Sequence, residues 1–381
     1  MISKLTILIF FLAVAFLNAQ VSVTLVGALP EDVLESSGLI YYNNKLITHN
    51  DSGNSPRLYE VDTLSSQIIR TITINNAVNI DWEDIAQDES YIYIGDFGNN
   101  IGNRQDLTIY RVAKSEYDVS NTISAERINF SYEDQTDFSE MQNSDWDAEA
   151  MVEFNDQLLI FTKQWQTNGT VAYSIPKITG TYSAKKLGFY NISGLVTGAA
   201  YNKFSNVLML LGYSPQLQPF IVRIDELATN FSFNGTEEKT GLEIGFSQLE
   251  GITYSDSNTY YISSERFQNN LPPITLASQL YTFDTDDVIQ EPEEPPIDMQ
   301  KVENELIIYR AFGSNELQYD LNSNAPLFGR AIFDISGKRV RHTHGNLIEN
   351  NSIDLSGLGS AVYYLTFYLQ GATISKPFIL E

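Results

Sequence analysis

Residues 36–51 read SSGLIYYNNKLITHND, and the same pattern returns four more times along the 381-residue chain. The later copies are WEDIAQDESYIYIGDF (82–97), AEAMVEFNDQLLIFTK (148–163), VTGAAYNKFSNVLMLLGY (196–213) and LEGITYSDSNTYYISSER (249–266). Aligned on their second letter, they bring Ser37, Glu83, Glu149, Thr197 and Glu250 into register, at spacings of 46, 66, 48 and 53 residues. A unit of roughly 40–50 residues repeated in this way is the sequence form of a four-stranded propeller blade. In each copy a first strand follows the marked residue, and after a turn a second strand runs back: 45–48, 91–95, 157–162, 207–211 and 260–263. Third strands carry an aromatic residue and a charge (RLYEVD, LTIYRVA, VAYSIPK, FIVRID, QLYTFD), and IIRTITI and RINFSYE supply fourth strands.

The fold class expected for residues 20–285 is therefore all-β, a β-propeller. The last repeat stops after its third strand at Asp284, while VSVTLVGAL (21–29) is a strand without a repeat of its own. Pairing the two would complete a fifth blade from both ends of the domain and close the ring without an open edge. Five blades are expected, and six are the alternative because the gap from Glu83 to Glu149 is long. The acidic part of that gap, EDQTDFSEMQNSDWD (133–147), is read as a loop.

The remaining chain sets address and charge. Residues 1–19 combine an early Lys, a short apolar run and Ala19 before Gln20, the form of a cleavable secretion signal rather than a membrane anchor. With no second apolar stretch of spanning length, no transmembrane segment is expected. The chain has no cysteine, so disulfides, thiol chemistry and a lipid-bearing cysteine are excluded. Twenty-three Lys plus Arg against 48 Asp plus Glu give a formal charge of -25, which opposes binding to a nucleic acid polymer. Residues 286–302, DDVIQEPEEPPIDMQKV, have the Pro and Glu content of an extended linker.

Residues 303–381 are of different composition, with alternating strands and Gly turns that fit a small β-sandwich. FDISGKRV (333–340), IDLSGLGSAVYYLTF (353–367) and a short last strand resemble the C-terminal sorting domain of type IX secretion cargo from Bacteroidetes-type bacteria. The resemblance implies the type IX machinery as a partner, export through the periplasm and across the outer membrane, and a secreted or surface-held product. One departure is the acidic last residue, Glu381, where such tails usually end basic. The expected state is a monomer.

In a propeller the first strand of each blade lines the central channel, so the five marked residues should converge at its rim. Three carboxylates and two hydroxyls would then share one narrow space, where like charges cannot all stay ionised without a cation. Hard oxygen donors favour Ca²⁺ over Zn²⁺, and His49, alone among propeller histidines, excludes a histidine-rich site. The plainer alternative is that these side chains only register one blade against the next. The alternation Ser, Glu, Glu, Thr, Glu, within ESSGLIYYNNKLITHNDSG, DWEDIAQDESYIYIGDFG, AEAMV and LEGITY, also resembles the calcium-activated nucleotidase (apyrase) family. That resemblance implies a five-bladed propeller with one central calcium held by Ser37, Glu83, Glu149, Thr197 and Glu250. Thr197 stands where the family tends to have serine.

Strand geometry puts the ends of the second strands on the same face. Those ends carry His49, Asn50 and Asp51; Asp96, Asn99 and Asn100; Lys163 and Trp165; Tyr213; and Glu265 with Arg266, while Arg57 and Arg104 follow shortly after two of them. Asp51, Asp96, Glu265 and His49 are the candidate catalytic groups. Arg57, Arg104, Lys163 and Arg266 are candidates to meet a phosphate, and Trp165 and Tyr213 to stack on a base or sugar. For any one of them a turn or surface role is the simpler explanation, and only their convergence argues for a site. No G-x-S-x-G elbow or Walker loop is present. Two functions stand: a secreted, calcium-centred phosphohydrolase acting on nucleotides or other phosphoesters, or a non-catalytic surface module for glycan or protein ligands.

Overall fold

The computed structural model describes residues 20–381 except 226, 228–230, 232, 234, 236, 271–272, 289–304, 311–313, 324–325, 345–350, 370–371 and 381. The expected signal (1–19) and all but residues 286–288 of the expected linker lie outside the described residues. The chain divides between residues 291 and 292 into two compact units.

In the first unit, five innermost strands carry the repeated pattern: Ser36–Tyr42, Trp82–Gln87, Asp147–Phe154, Leu195–Asn202 and Leu249–Tyr254. Each pairs antiparallel with the strand that follows it, and that strand with a third. Each inner strand packs against the inner strand of the next repeat, and the fifth packs back against the first. A closed cycle of sheets around an axis is a β-propeller. The closing strand comes from the other end of the unit, where Thr24–Ala28 pairs antiparallel with Gln279–Asp284.

Successive residues of a strand point to opposite faces, and here both faces are buried. Leu39 enters the apolar core shared with the fifth repeat, whereas Ile40 enters the one shared with the second. Ile85 and Ala86, Ala150 and Met151, and Ala199 and Ala200 divide in the same way between neighbouring cores. The near-continuous apolar runs of the repeats, such as LLIF and VLMLL, follow from this two-sided burial. Trp82 fills the core between the first and second repeats and donates its indole N–H to the Val78 carbonyl at 3.1 Å.

The outer edges carry pairings that the repeat pattern does not announce. Thr122–Ile123 adds in parallel to Ile68–Ile74, and Gln20–Val21 adds in parallel to Glu237–Leu242. Glu126–Tyr132 and Gly180–Tyr190 pair with each other and fuse the second and third repeats into one eight-stranded sheet. In these four repeats the fourth strand is therefore covered rather than left as an open template.

The second unit holds two sheets. One contains Glu305–Tyr309, Glu316–Asn322 and Ser352–Asp354; the other contains Leu327–Asp334, Arg339–His344, Ala361–Leu369 and Ala372–Leu380. Leu306, Leu317 and Tyr319 of the first share an apolar core with Ile332, Leu365 and Phe367 of the second. Within FDISGKRV a tight turn reverses the chain: Asp334 and Lys338 bond through their backbones, and Gly337 takes φ +81°. That left-handed conformation suits glycine. Among the described residues, no helix is long and apolar enough to cross a membrane.

Candidate metal centre

Every inner strand breaks register at its marked residue. The shifts fall between Ser36 and Leu39, Trp82 and Asp84, Ala148 and Ala150, Val196 and Gly198, and Leu249 and Gly251. A β-bulge leaves one residue out of the ladder and re-aims its side chain. Glu83, Glu149, Thr197 and Glu250 are those residues, and in the first repeat Ser37 is left out together with Gly38. They lie within the first strand, not ahead of it as the sequence pattern suggested, and all five are buried.

The two hydroxyls act between repeats. Ser37 Oγ donates to the Glu83 carbonyl, and Thr197 Oγ1 donates to the Leu249 carbonyl at 2.5 Å. Each ties its strand to the next one in the ring. Asp84, beside Glu83, makes a similar tie, accepting from the amides of Ile85 and, in the third repeat, Met151, both at 2.7 Å.

The carboxylates gather in two sets. Oxygens of Glu83, Asp147 and Glu149 lie within 4.8 Å of one another, as do those of Asp51, Asp81 and Glu83. Asp81 and Asp147 each stand two residues before a marked glutamate, in DWE and DAE. Sequence reading missed both and left Asp147 at the end of an acidic loop. Asp147 in fact opens the third inner strand, and the D-x-E spacing was the available signal. Gly98, from the DFGNN segment, presses against this site: a Cβ there would fall 2.1 Å from Glu83 Oε1 and 2.5 Å from an Asp81 oxygen. Only a residue without a side chain lets the two carboxylates approach.

Burial and mutual repulsion shape the electrostatics. The Glu83 carboxyl is pushed well above its ordinary value by burial and then by Glu149, Asp51, Asp81 and Asp147. Burial raises Asp51 to about 6, Asp81 to about 7 and Glu265 to about 7, with neighbouring carboxylates adding to each. Burial also raises Glu250 and Glu149, against the pull of Lys163 on both. Lys163 is the buried cation of the group. Its ammonium lies 3.0 Å from Glu149 Oε1 and faces the rings of Trp165 and Tyr213 at 4.9 and 5.6 Å. Burial opposes its charge, yet Glu149, Tyr213 and Glu250 keep it well above the usual lysine value.

The other expected site residues divide. Asp51, Lys163, Trp165, Tyr213 and Glu265 join the marked glutamates. Trp165 donates its indole N–H to Asp147 Oδ2 at 2.9 Å, and the Asn99 amide donates to Asp147 Oδ1 at 2.7 Å. These bonds orient a prospective ligand, as outer-shell donors do in metal sites. His49 does not join them: it is fully buried, edge-on to Trp82 at 5.5 Å, and burial lowers it to about 4. Asp96 is engaged by Arg104 at 3.0 Å and by the Asp81 amide at 3.1 Å, so this pair braces the loop that carries Gly98. Arg104 also donates to the Gly98 carbonyl at 2.9 Å and is spent as a free cation. Arg57 and Arg266 are exposed and belong to neither carboxylate set.

No protein-family model matches the chain, and no curated protein does. Among solved structures, a luciferin-regenerating enzyme matches at 9% identity and a TM-score of 0.40, covering 71% of this chain and 97% of that one. A GH43_1 enzyme from Xanthomonas citri matches at 8% identity and a TM-score of 0.41, covering 70% and 93%. A quinoprotein alcohol dehydrogenase-like protein from Bacteroides thetaiotaomicron matches at 12% identity and a TM-score of 0.31, covering 84% and 67%.

The donor set itself fits a hard divalent cation. It is all oxygen and strongly anionic, offers no sulfur or imidazole, and is pre-oriented by bonds to Asn99 and Trp165.

Proposed function

We propose that this chain is a secreted, five-bladed propeller whose inner ring holds calcium and whose mouth acts on a phosphoester or phosphoanhydride, nucleotides included. The observation that carries it is the convergence of Glu83, Asp147 and Glu149, fully buried carboxylates with oxygens within 4.8 Å. Such a group folds at neutral pH only with protons or a cation in its midst. Glu83, Asp147 and Glu149 are the ligands in this reading. They replace the ring of five implied by the nucleotidase resemblance, because Ser37 and Thr197 already bond neighbouring carbonyls and Glu250 belongs to neither carboxylate set.

Bound there, calcium supplies fixed positive charge at the mouth and a tie between blades. The protein's own groups do the rest. Lys163 fixes Glu149, and Trp165 and Asn99 fix Asp147. Glu265, half-buried at the mouth and raised by burial to about 7, accepts or returns a proton near neutrality. We assign residues 303–381 as a β-sandwich that engages the type IX machinery, with the propeller released from the cell or held on its surface as a monomer.

The test is release of inorganic phosphate from nucleoside di- and triphosphates and from an aryl phosphate, in calcium and in EDTA. Calcium-dependent release that falls at least tenfold in Glu83→Gln and in Glu265→Gln is expected. The binding-module reading keeps one observation in its favour: Arg104 and Lys163, two of the cations expected to meet phosphate, are already paired. No release from any substrate, together with calcium-dependent retention of glycans, would establish that reading instead.

A further inference from the structure

The two carboxylate sets differ in depth. Glu83, Asp147 and Glu149 are all buried, whereas Asp51 and Asp81 are half-buried and share only Glu83 with the deeper set. Glu83 is 5% exposed, and no described residue gives its carboxylate a hydrogen bond or an ion pair. A buried carboxylate without any donor is unfavourable unless a proton or a cation sits beside it, and Glu83 is the one residue common to both sets. Gly98 keeps the space beside Glu83 Oε1 and the Asp81 carboxylate free of any side chain. Next to it, Asn99 Nδ2 is buried and without a partner, a donor left over for an oxygen-bearing ligand.

Charge points the same way. The two sets hold five carboxylates, and Lys163 supplies one ammonium among them, leaving four negative charges. One divalent cation cancels half of that, and two cancel it. Glu250 and Glu265 add further negative charge nearby.

We propose that the mouth binds a second divalent cation through Asp51, Asp81 and Glu83, with Glu83 bridging it to the deeper calcium. This rests on the calcium reading above and deepens it. The deep position is closed by protein and serves the ring. The outer position keeps its open side toward solvent, where water or a phosphoryl oxygen completes the coordination. Such a cation cancels the charge that the deeper one leaves, and so makes an anionic substrate acceptable where Arg104 and Lys163 are already committed. The substrate class that follows is a metal-chelating phosphate, a di- or triphosphate in preference to a neutral ester.

The purified chain, stripped with chelator, is titrated with calcium alone by calorimetry at physiological ionic strength, and bound metal is counted after equilibrium dialysis. Two equivalents are expected, a tight one and a weaker one. Asp81→Asn, and independently Asp51→Asn in case one variant fails to fold, should lose the weaker equivalent and keep the tight one. With manganese(II) in place of calcium, two ions sharing Glu83 should give a spin-coupled resonance that Asp81→Asn converts to that of an isolated ion. One equivalent that both variants retain, with an uncoupled manganese signal, overturns the second position while leaving the calcium reading intact. No bound equivalent overturns both.

Discussion

Glu83 and Glu149 occupy the same position in their repeats, yet their surroundings set opposite expectations for the same substitution. Glu149 is partnered by Lys163 at 3.0 Å, with both side chains buried. Glu149→Gln strands an ammonium, and breaking a buried pair costs about 3–5 kcal/mol. That loss should lower Tm in EDTA, and in calcium by more, because the variant also forgoes a ligand. Glu83 has no donor among the described residues, and burial with the neighbouring Glu149, Asp51, Asp81 and Asp147 carboxylates favours its neutral form when no cation is bound. Glu83→Gln therefore leaves Tm in EDTA unchanged or higher. In calcium the variant forgoes ligand stabilisation, about 2.7 kcal/mol when the ion stands at a hundred times its Kd. Thermal melts of both variants in the two buffers check this, and a Glu83→Gln loss of equal size in each would make Glu83 a structural residue.

At the level of the strand, the bulge is the device that turns a repeat into a site. A break in register recurs at all five marked positions, a one-residue bulge in four and a wider one at Ser37, and presents carboxylates at three and hydroxyls at two. Ser37→Ala and Thr197→Ala each remove one inter-repeat hydrogen bond, worth about 0.5–1.5 kcal/mol. The expected outcome is a modest drop in Tm that is the same with and without calcium, and an unchanged calcium affinity. A tenfold weaker affinity in either variant would return the hydroxyls to the ligand set. The strands themselves were legible from alternation, turn residues and the repeat, and Thr24–Ala28 was legible as a strand in need of a partner. The bulge was not, because nothing in a single Glu or Ser marks a residue as unpaired. Asp81 and Asp147 were missed for the same reason. In so acidic a chain a D-x-E pair draws notice only once the third inner strand is known to begin at Asp147 and the second just after Asp81. His49 misled in the opposite direction: its place at the end of a second strand was read correctly, but its packing against Trp82 depends on a neighbouring repeat 33 residues on.

Across the whole molecule, a charge of -25 is compatible with a stable ring only if its buried part is neutralised. The surface share is dispersed and screened over about 8 Å at physiological ionic strength, whereas the mouth concentrates Asp51, Asp81, Glu83, Asp147 and Glu149 in one place. Without a cation, protons must do the neutralising, and this fixes the sign of the pH dependence. Asp51 titrates at about 6, and Asp81 and Glu265 at about 7, in the folded chain, against about 4 for carboxylates in an unfolded one. Between these values the folded state binds more protons than the unfolded state, so stability falls as pH rises. In EDTA the Tm should therefore decline from about pH 4 to about pH 7, the reverse of what salt-bridged carboxylates give. Saturating calcium holds Asp51 and Asp81 ionised at every pH in that window, lowers their folded values and flattens the slope. Two melting curves against pH, one in each buffer, measure the difference. Parallel curves would mean that the carboxylates at the mouth are neutralised by something other than the metal, and the structural role of the ring would then rest on Ser37, Thr197 and Asp84 alone.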